Sequence, residues 1–270
     1  MSISHTDDMK NGEVYIPLRF REGGASGIRL GSISSRGARP YQEDSFGFSS
    51  IKKSDAAMHG FTAVVADGMG GLSDGGAVSK YVVSSLIELS MNCTPKLPAD
   101  IFLQSALRQI NCNVVSTGVK GGSTAAAVKC CKDGVYWCAS GDSRIYLMRS
   151  GSLTALNEDH DHISTLLDDV IGRKLAYRDV PDDPQKDSLE FYIGCGGTLA
   201  VDGNIRPLVP MKNDRLLLCS DGVYNAASDG EIIEALSHPA AAAAEKLGSV
   251  IASKGYVNQD NYTAVILEFN

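Results

Sequence analysis

Four aspartates stand at the ends of apolar runs, and carboxylates so placed can build a site for a divalent cation. Asp67 follows Val64-Val65-Ala66, Asp142 follows Ala139-Ser140-Gly141, Asp221 follows Leu217-Leu218-Cys219-Ser220, and Asp260 precedes the run Tyr262–Phe269. Short apolar runs of this kind read as strands. Strands ending together in a sheet would bring the carboxylates to one edge, where they repel unless a cation neutralises them. Each aspartate alone is an ordinary turn residue; the set of four carries the signal. Gly68, directly after Asp67, lets a backbone carbonyl approach a cation.

Arg39 lies four residues before Glu43 and five before Asp44. A guanidinium fork suits a phosphoryl group, to which it gives paired charged hydrogen bonds; the plain alternative is a surface ion pair of little worth. Gly68-Met69-Gly70-Gly71 is glycine-rich, yet no Gly-Lys-Ser/Thr follows, which argues against a nucleotide-binding P-loop. His160 and His162 form an H-x-H pair in a polar stretch, where a turn or surface role is expected.

The elements that must position these groups are legible as periodicities. Strand patterns cover Ile28–Ser34, Phe46–Ser49, Phe61–Ala66, Thr124–Cys131, Gly134–Ala139, Arg144–Arg149, Arg215–Ser220 and Tyr262–Phe269. Helical spacing covers Ala77–Leu89, Ala99–Val115, Asp229–Ser237 and Pro239–Ser253. Residues 1–27 read as a flexible leader and 28–270 as a single domain, with a helix and then a mobile flap at about 166–204. Asp179, Asp182, Asp183 and Asp187 in that flap either favour basic substrates or solvate a loop. The order of elements implies an α+β fold, two antiparallel sheets with helices outside them in a four-layer α-β-β-α sandwich.

With 270 residues and 43% apolar content the chain can bury a substantial core. A net charge of −7 argues against general binding to nucleic acid or anionic membrane. No apolar run reaches the roughly eighteen residues of a membrane span, and no apolar signal core opens the chain, so a cytoplasmic location is expected. The seven cysteines, Cys93, Cys112, Cys130, Cys131, Cys138, Cys195 and Cys219, contain no C-x-x-C pair and read as reduced small hydrophobes. None sits in a C-x₅-R setting, so a cysteine nucleophile has no support.

The ordered set Arg39-x-x-x-Glu43-Asp44, Val65-Ala66-Asp67-Gly68-Met69-Gly70-Gly71, Gly122-Ser123-Thr124-Ala125, Gly141-Asp142-Ser143-Arg144, Cys219-Ser220-Asp221-Gly222 and Asp260-Asn261-x-Thr263 resembles the metal-dependent type-2C protein serine/threonine phosphatases, in their bacterial form. The resemblance runs from about Ile28 to Phe269. It implies two Mn²⁺ or Mg²⁺ ions bridged by water, with a third ion held more loosely. It assigns Asp67 to both ions, the Gly68 carbonyl to one, and Asp221 and Asp260 to the other. Glu43 would act through bound waters and Asp142 would help hold the third ion. Arg39 would hold the phosphoryl group, so that Arg39 and Asp67 carry the chemistry. Asp44 and Asn261 would be supporting residues, and Arg144 structural.

The implied activity is hydrolysis of phosphoserine and phosphothreonine in proteins by a monomer, opposing a cognate Ser/Thr kinase in bacterial signalling. A weakly catalytic phosphoprotein-binding module and a small-phosphoester hydrolase are the alternatives. The chain departs from many eukaryotic members at Met69, where they carry a histidine. It departs from many bacterial members at Leu72 and Gly76, where a histidine and a glutamate are common. The group that protonates the leaving oxygen is therefore unassigned by the resemblance.

Overall fold

Tyr262–Phe269 is a strand buried along its whole length. Tyr262, Ala264 and Ile266 face one side, Val265, Leu267 and Phe269 the other, as a period of two requires. A strand apolar on both faces needs a layer on each side. Phe61–Ala66 has the same character, with Ala63 and Val65 facing one way and Val64 and Ala66 the other. Two such strands in two different sheets dictate four layers.

The computed structural model describes residues 14–16, 18, 20, 27–49, 59–69, 74–92, 97–174, 176–180, 185 and 188–270. Its strands are β1 (Val14–Ile16), β2 (Ile28–Ser35), β3 (Ser45–Phe48), β4 (Phe61–Ala66), β5 (Gly68–Met69), β6 (Gly122–Ser123), β7 (Ala125–Cys131), β8 (Gly134–Ser140), β9 (Arg144–Arg149), β10 (Ser152–Ala155), β11 (Asp202–Gly203), β12 (Arg215–Cys219) and β13 (Tyr262–Phe269). Its helices are α1 (Asp74–Asn92), α2 (Ala99–Thr117), α3 (His162–Ile171), α4 (Asp221–Tyr224), α5 (Asp229–Leu236) and α6 (Ala240–Ser253).

One sheet runs β1-β2-β13-β12-β9-β10, the other β11-β8-β7-β4-β3, and β5 pairs with β6 in a short ribbon. The ladders are antiparallel throughout. Leu30, Leu218, Val265 and Leu267 of the first sheet meet Phe61, Val65, Val128 and Val135 of the second in the central core. Helices α1 and α2 cover the second sheet through Val82, Leu86, Leu103 and Leu107. Helices α4, α5 and α6 cover the first through Val223, Ile232, Ala244 and Leu247. The four-layer sandwich expected from the sequence is thus the observed architecture.

Helix boundaries follow local chemistry. Pro98 occupies the position before α2, and Gly118, at φ 71°, ends it in the left-handed conformation that glycine adopts at least cost. Ser228 and Glu231 form a reciprocal capping box at the start of α5. The N–H of Ala240 at the start of α6 donates to the buried Glu268 carboxylate at 2.9 Å, where the helix dipole favours negative charge.

Val14–Ile16 fall in the stretch read from sequence as a leader, yet they pair with β2 and add a sixth strand. Ile16, Leu18 and Phe20 are buried, with Phe20 edge-on to Phe269 at 5.7 Å. Three strand residues are too few to show a period. Residues 1–13 lie outside the described residues, as do Gly70, Gly71, Leu72, Cys93, Pro181, Asp182, Asp183, Pro184 and Asp187. Cys112, Cys130, Cys138, Cys195 and Cys219 are free thiols. Among the described residues no helix is long and apolar enough to cross a membrane.

Helix α6 lies so close to β2 that a Cβ on Gly31 would overlap the carbonyl of Ala240. Gly31→Ala is expected to cost about 1–3 kcal/mol, because backbone has to yield. Gly230→Ala, in α5 with open space around it, is expected to add about 0.5 kcal/mol. Thermal unfolding of the two variants beside the parent checks this; a Gly31→Ala protein melting with the parent would refute the close packing.

Candidate active site

Antiparallel pairing brings the named residues to one rim. In the first sheet β2 ends at Ser35 opposite Tyr262, where β13 begins, and β12 ends at Cys219 opposite Arg144, where β9 begins. In the second, β3 begins at Ser45 opposite Ala66, where β4 ends, and Ala125 of β7 faces Ser140 at the end of β8. Arg39 and Glu43 therefore lie between the sheets on the β2–β3 connection, Asp142 on the β8–β9 connection, and Asp67, Asp221 and Asp260 at strand ends. A hydrogen bond between the sheets, from the Ser220 hydroxyl to Asp44 at 2.7 Å, shows the two rims are in contact.

A cavity of about 270 Å³ opens there, lined by Arg39, Glu43, Asp67, Gly68, Asp142, Asp221, Asp260 and Asn261, with Met69, Thr124 and Leu189. Eight of the nine residues singled out in the sequence are in that wall; the ninth, Asp44, is buried and accepts from the Ser220 hydroxyl. Leu189 and Thr124 join them without a role that the sequence points to. Thr124 is fixed by β-ribbon geometry: its N–H donates to the Asp67 carbonyl and its hydroxyl accepts from the Asp67 N–H, at 2.8 and 2.9 Å. Asn225, also unassigned, donates to Asp221 at 3.2 Å from one helical turn away.

Asn261 holds the β2–β3 connection. Its carbonyl oxygen accepts from the Glu43 N–H at 2.8 Å, and its amide donates to the carbonyls of Arg36 and Tyr41, both at 2.9 Å. Arg39 and Glu43 are thereby set over the cavity. Gly68 and Gly75 pack backbone to backbone beneath the Glu43 carbonyl, where any Cβ would collide. On the other side Tyr224 donates to the Asp142 carbonyl at 3.0 Å, and the Arg144 guanidinium lies 3.7 Å from its ring while binding Asp159. The two histidines tie down the segment that follows β10. His160 accepts from the Gly141 N–H at 3.3 Å and pairs with Asp202, and His162 pairs with Glu190.

The electrostatics are one-sided: five acidic side chains, Glu43, Asp67, Asp142, Asp221 and Asp260, face one base, Arg39. Arg39 binds Asp260 at 2.6 Å, and more than half of its side-chain surface is exposed. Burial holds Asp67 well above the usual carboxylate range, with Asp44 and Asp221 adding to it. Burial also raises Asp142 to about 7, with Asp221 the next cause, and Asp44 to about 6. Asp221 is raised by burial and by Asp260, and shares a hydrogen bond with Asp67. One oxygen each of Glu43, Asp44 and Asp221 is buried without a hydrogen-bond partner.

Among the described residues no three His, Cys, Asp or Glu side chains are grouped closely enough to grip an ion as they stand. Asp260 is turned to Arg39, and Asp67 and Asp221 to each other. The donor chemistry nevertheless fits hard divalent cations. It is all oxygen, in carboxylate excess, with unpartnered buried oxygens, and an ion of charge two would offset that excess.

No protein-family model matches the chain. Serine/threonine phosphatase stp of Listeria welshimeri is similar, 29% identical over 216 residues that cover 77% of this chain and 84% of that protein. A protein of Streptococcus pyogenes named as protein phosphatase 2C-type is 30% identical over 185 residues, 66% of this chain and 73% of its own length. The catalytic domain of the serine/threonine phosphatase PstP, solved in complex with two manganese ions, matches with a TM-score of 0.69 at 25% identity, over 89% of this chain and 97% of that one. The fold, the acidic rim and these relatives together make the chain a protein serine/threonine phosphatase. Within that class the chain belongs to the type-2C family.

The raised carboxyls have a consequence for stability. An unfolded aspartate titrates near 3.9, so folding takes up protons between about pH 4 and 7, and stability falls as pH rises through that window. Asp142→Asn removes one such group. In chelator, urea unfolding between pH 4.5 and 7.5 should show the parent losing about 2 kcal/mol more than the variant. Equal losses would mean that Asp142 is not held above its ordinary range.

Proposed function

We propose that this phosphatase hydrolyses phosphoserine and phosphothreonine in proteins with divalent cations held by Asp67, the Gly68 carbonyl, Asp221 and Asp260, and with Glu43 acting through water. Asp142 contributes to a further, looser site. The observation that carries this reading is the convergence of five acidic side chains and one arginine on a single cavity at the joint rim of both sheets. The all-oxygen donor set favours Mn²⁺ or Mg²⁺ over zinc. The manganese complex of PstP supports two ions.

Cations bound among these carboxylates would supply a water made nucleophilic at neutral pH and positive charge beside the phosphoryl oxygens. The remaining work belongs to the chain. Arg39, exposed and hinged over the cavity, exchanges Asp260 for the phosphoryl group and gives it paired hydrogen bonds. Asn261 keeps Arg39 and Glu43 in register with Asp260, its own neighbour. Thr124 fixes the Asp67 backbone, and Asn225 orients the Asp221 carboxylate. Met69 and Leu189 give the cavity an apolar flank that limits water around the phosphoryl group. Among the described residues no histidine lines the cavity.

The substrates of this reading are phosphoproteins, and its biological place is reversal of a cognate Ser/Thr kinase in the cytoplasm, carried out by a monomer. The net charge of −7 supports a partner that is neither nucleic acid nor an anionic membrane.

Hydrolysis of a phosphothreonine peptide should require added Mn²⁺ or Mg²⁺, and Asp221→Asn should lower kcat/KM at least 100-fold while the fold persists by circular dichroism. Equal turnover in chelator would sink the metal-dependent reading. Arg39→Ala should lower kcat/KM by about 10–100-fold, with cation affinity by calorimetry unchanged or improved because Asp260 is released. A cation affinity that collapses with Arg39 would place that residue in support of the metals instead of the phosphate.

A further inference from the structure

A second cavity of about 470 Å³ adjoins the first, and Asp221 and Asp260 form the wall between them. Apart from those two aspartates its lining is uncharged, with Asn225, Ala226, Tyr256, Val257, Asn258 and Gln259 doing most of it. Tyr256 and Val257 lie on the turn between α6 and β13, and they are 52% and 88% exposed. A third depression of about 300 Å³ shares Tyr256 and Gln259 and continues past Ile251 and Tyr262. Through these shared residues the second and third line a trough that runs from Asp221 and Asp260 out across the α6–β13 turn.

The turn is held on both sides. The Gln259 amide donates to the Gly222 carbonyl at 3.1 Å, the Gln259 N–H to Tyr256 O at 3.2 Å, and the Ala38 N–H to Gln259 O at 2.8 Å. A tyrosine and a valine are thus presented to water on a braced surface, next to the residues that do chemistry. Such a patch gains when a partner covers it. The amides of Asn225 and Asn258 suit an extended backbone, whose N–H and C=O groups need partners. Among the described residues the trough lacks charge beyond the two shared aspartates, so they offer a charged side chain no further partner.

From this arrangement we infer that the trough over Tyr256 and Val257 is the substrate-docking site of the phosphatase: it takes the extended chain next to the phosphoresidue and seats an apolar side chain against that pair. The inference rests on the phosphatase reading, and it names what that reading leaves open, the feature by which one phosphoprotein is preferred over another. Its occupant is argued from continuity: a phosphoresidue held by Arg39 in the first cavity carries its own chain out of that cavity, and the trough opens beside it across Asp221 and Asp260.

The test measures kcat/KM with Mn²⁺ for the parent, Tyr256→Ala and Val257→Glu. The substrates are p-nitrophenyl phosphate, which fills only the first cavity, and phosphothreonine peptides carrying Leu or Lys at each of the three positions on either side. The parent should prefer Leu to Lys by about tenfold at one flanking position. Tyr256→Ala should lose that preference through a higher KM, with turnover of the aryl phosphate within about twofold of the parent. Val257→Glu should reverse the preference to Lys at the same position, a gain that a damaged fold cannot produce. A parent without flank preference, or variants that act equally on peptide and aryl phosphate, would overturn the docking site and leave the phosphatase standing. A parent inert toward both substrates in Mn²⁺ would overturn the phosphatase reading, and the docking site with it.

Discussion

Repulsion among recessed carboxylates is the constraint on which this structure turns. Five acids share one small cavity with a single arginine, and burial raises several of them far above their ordinary range. No folded protein benefits from such a cluster by itself, since each carboxylate loses water and gains a like-charged neighbour. The arrangement is rational only if something of high positive charge is to sit there. The cluster is thus a cost to stability whose return is chemical.

A cluster that repels itself would spread unless its backbone were held, and the surrounding hydrogen bonds do this. Asn261 ties three backbone groups of the β2–β3 connection to the residue after Asp260. Thr124 clamps Asp67 through both its backbone N–H and its hydroxyl. Ser220 donates to the buried Asp44 and accepts from the Thr263 N–H, which locks the ends of β12 and β13 to the start of β3. Each bond alone is worth about 1 kcal/mol, but a network of buried groups is costly to break because each partner left behind is stranded. The antiparallel registers act at longer range, since a slip of one residue would turn every carboxylate away from the rim.

What could be read from the sequence follows from the same physics. Strands buried on both faces leave unbroken apolar runs, so β4, β9 and β13 match their predicted bounds, and the aspartates that end those runs are conspicuous. Strand β10 was missed because Ser152–Ala155 is a mostly exposed edge with no apolar period, and β1, β5, β6 and β11 because two or three residues cannot show one. Helix α4 is a single turn that begins at Asp221 itself, hidden inside the motif. Asn225 follows from that helix, and Leu189 reaches the cavity only through the flap's return, so neither had a local signal. The pairing of Arg39 with Asp260 spans 221 residues and exists only in the fold.

The flap and the α6–β13 turn approach the cavity from different elements, and their chemistry differs. On the flap side His160 and Phe191 meet edge-on, and His160–Asp202 and His162–Glu190 pairs bind the segment to the rim. Its only described contribution to the cavity wall is Leu189. On the other side Tyr256 and Val257 are exposed on a braced turn that shares its wall with the carboxylates. On the proposed reading the acids and Arg39 serve the phosphoryl group whatever the protein substrate, which leaves those residues no freedom to discriminate. Discrimination has to come from surfaces that touch the chain on either side of the phosphate. A wall made of Asp221 and Asp260, with the acidic cavity on one side and an uncharged trough on the other, would let the two requirements be met by residues that do not interfere with each other.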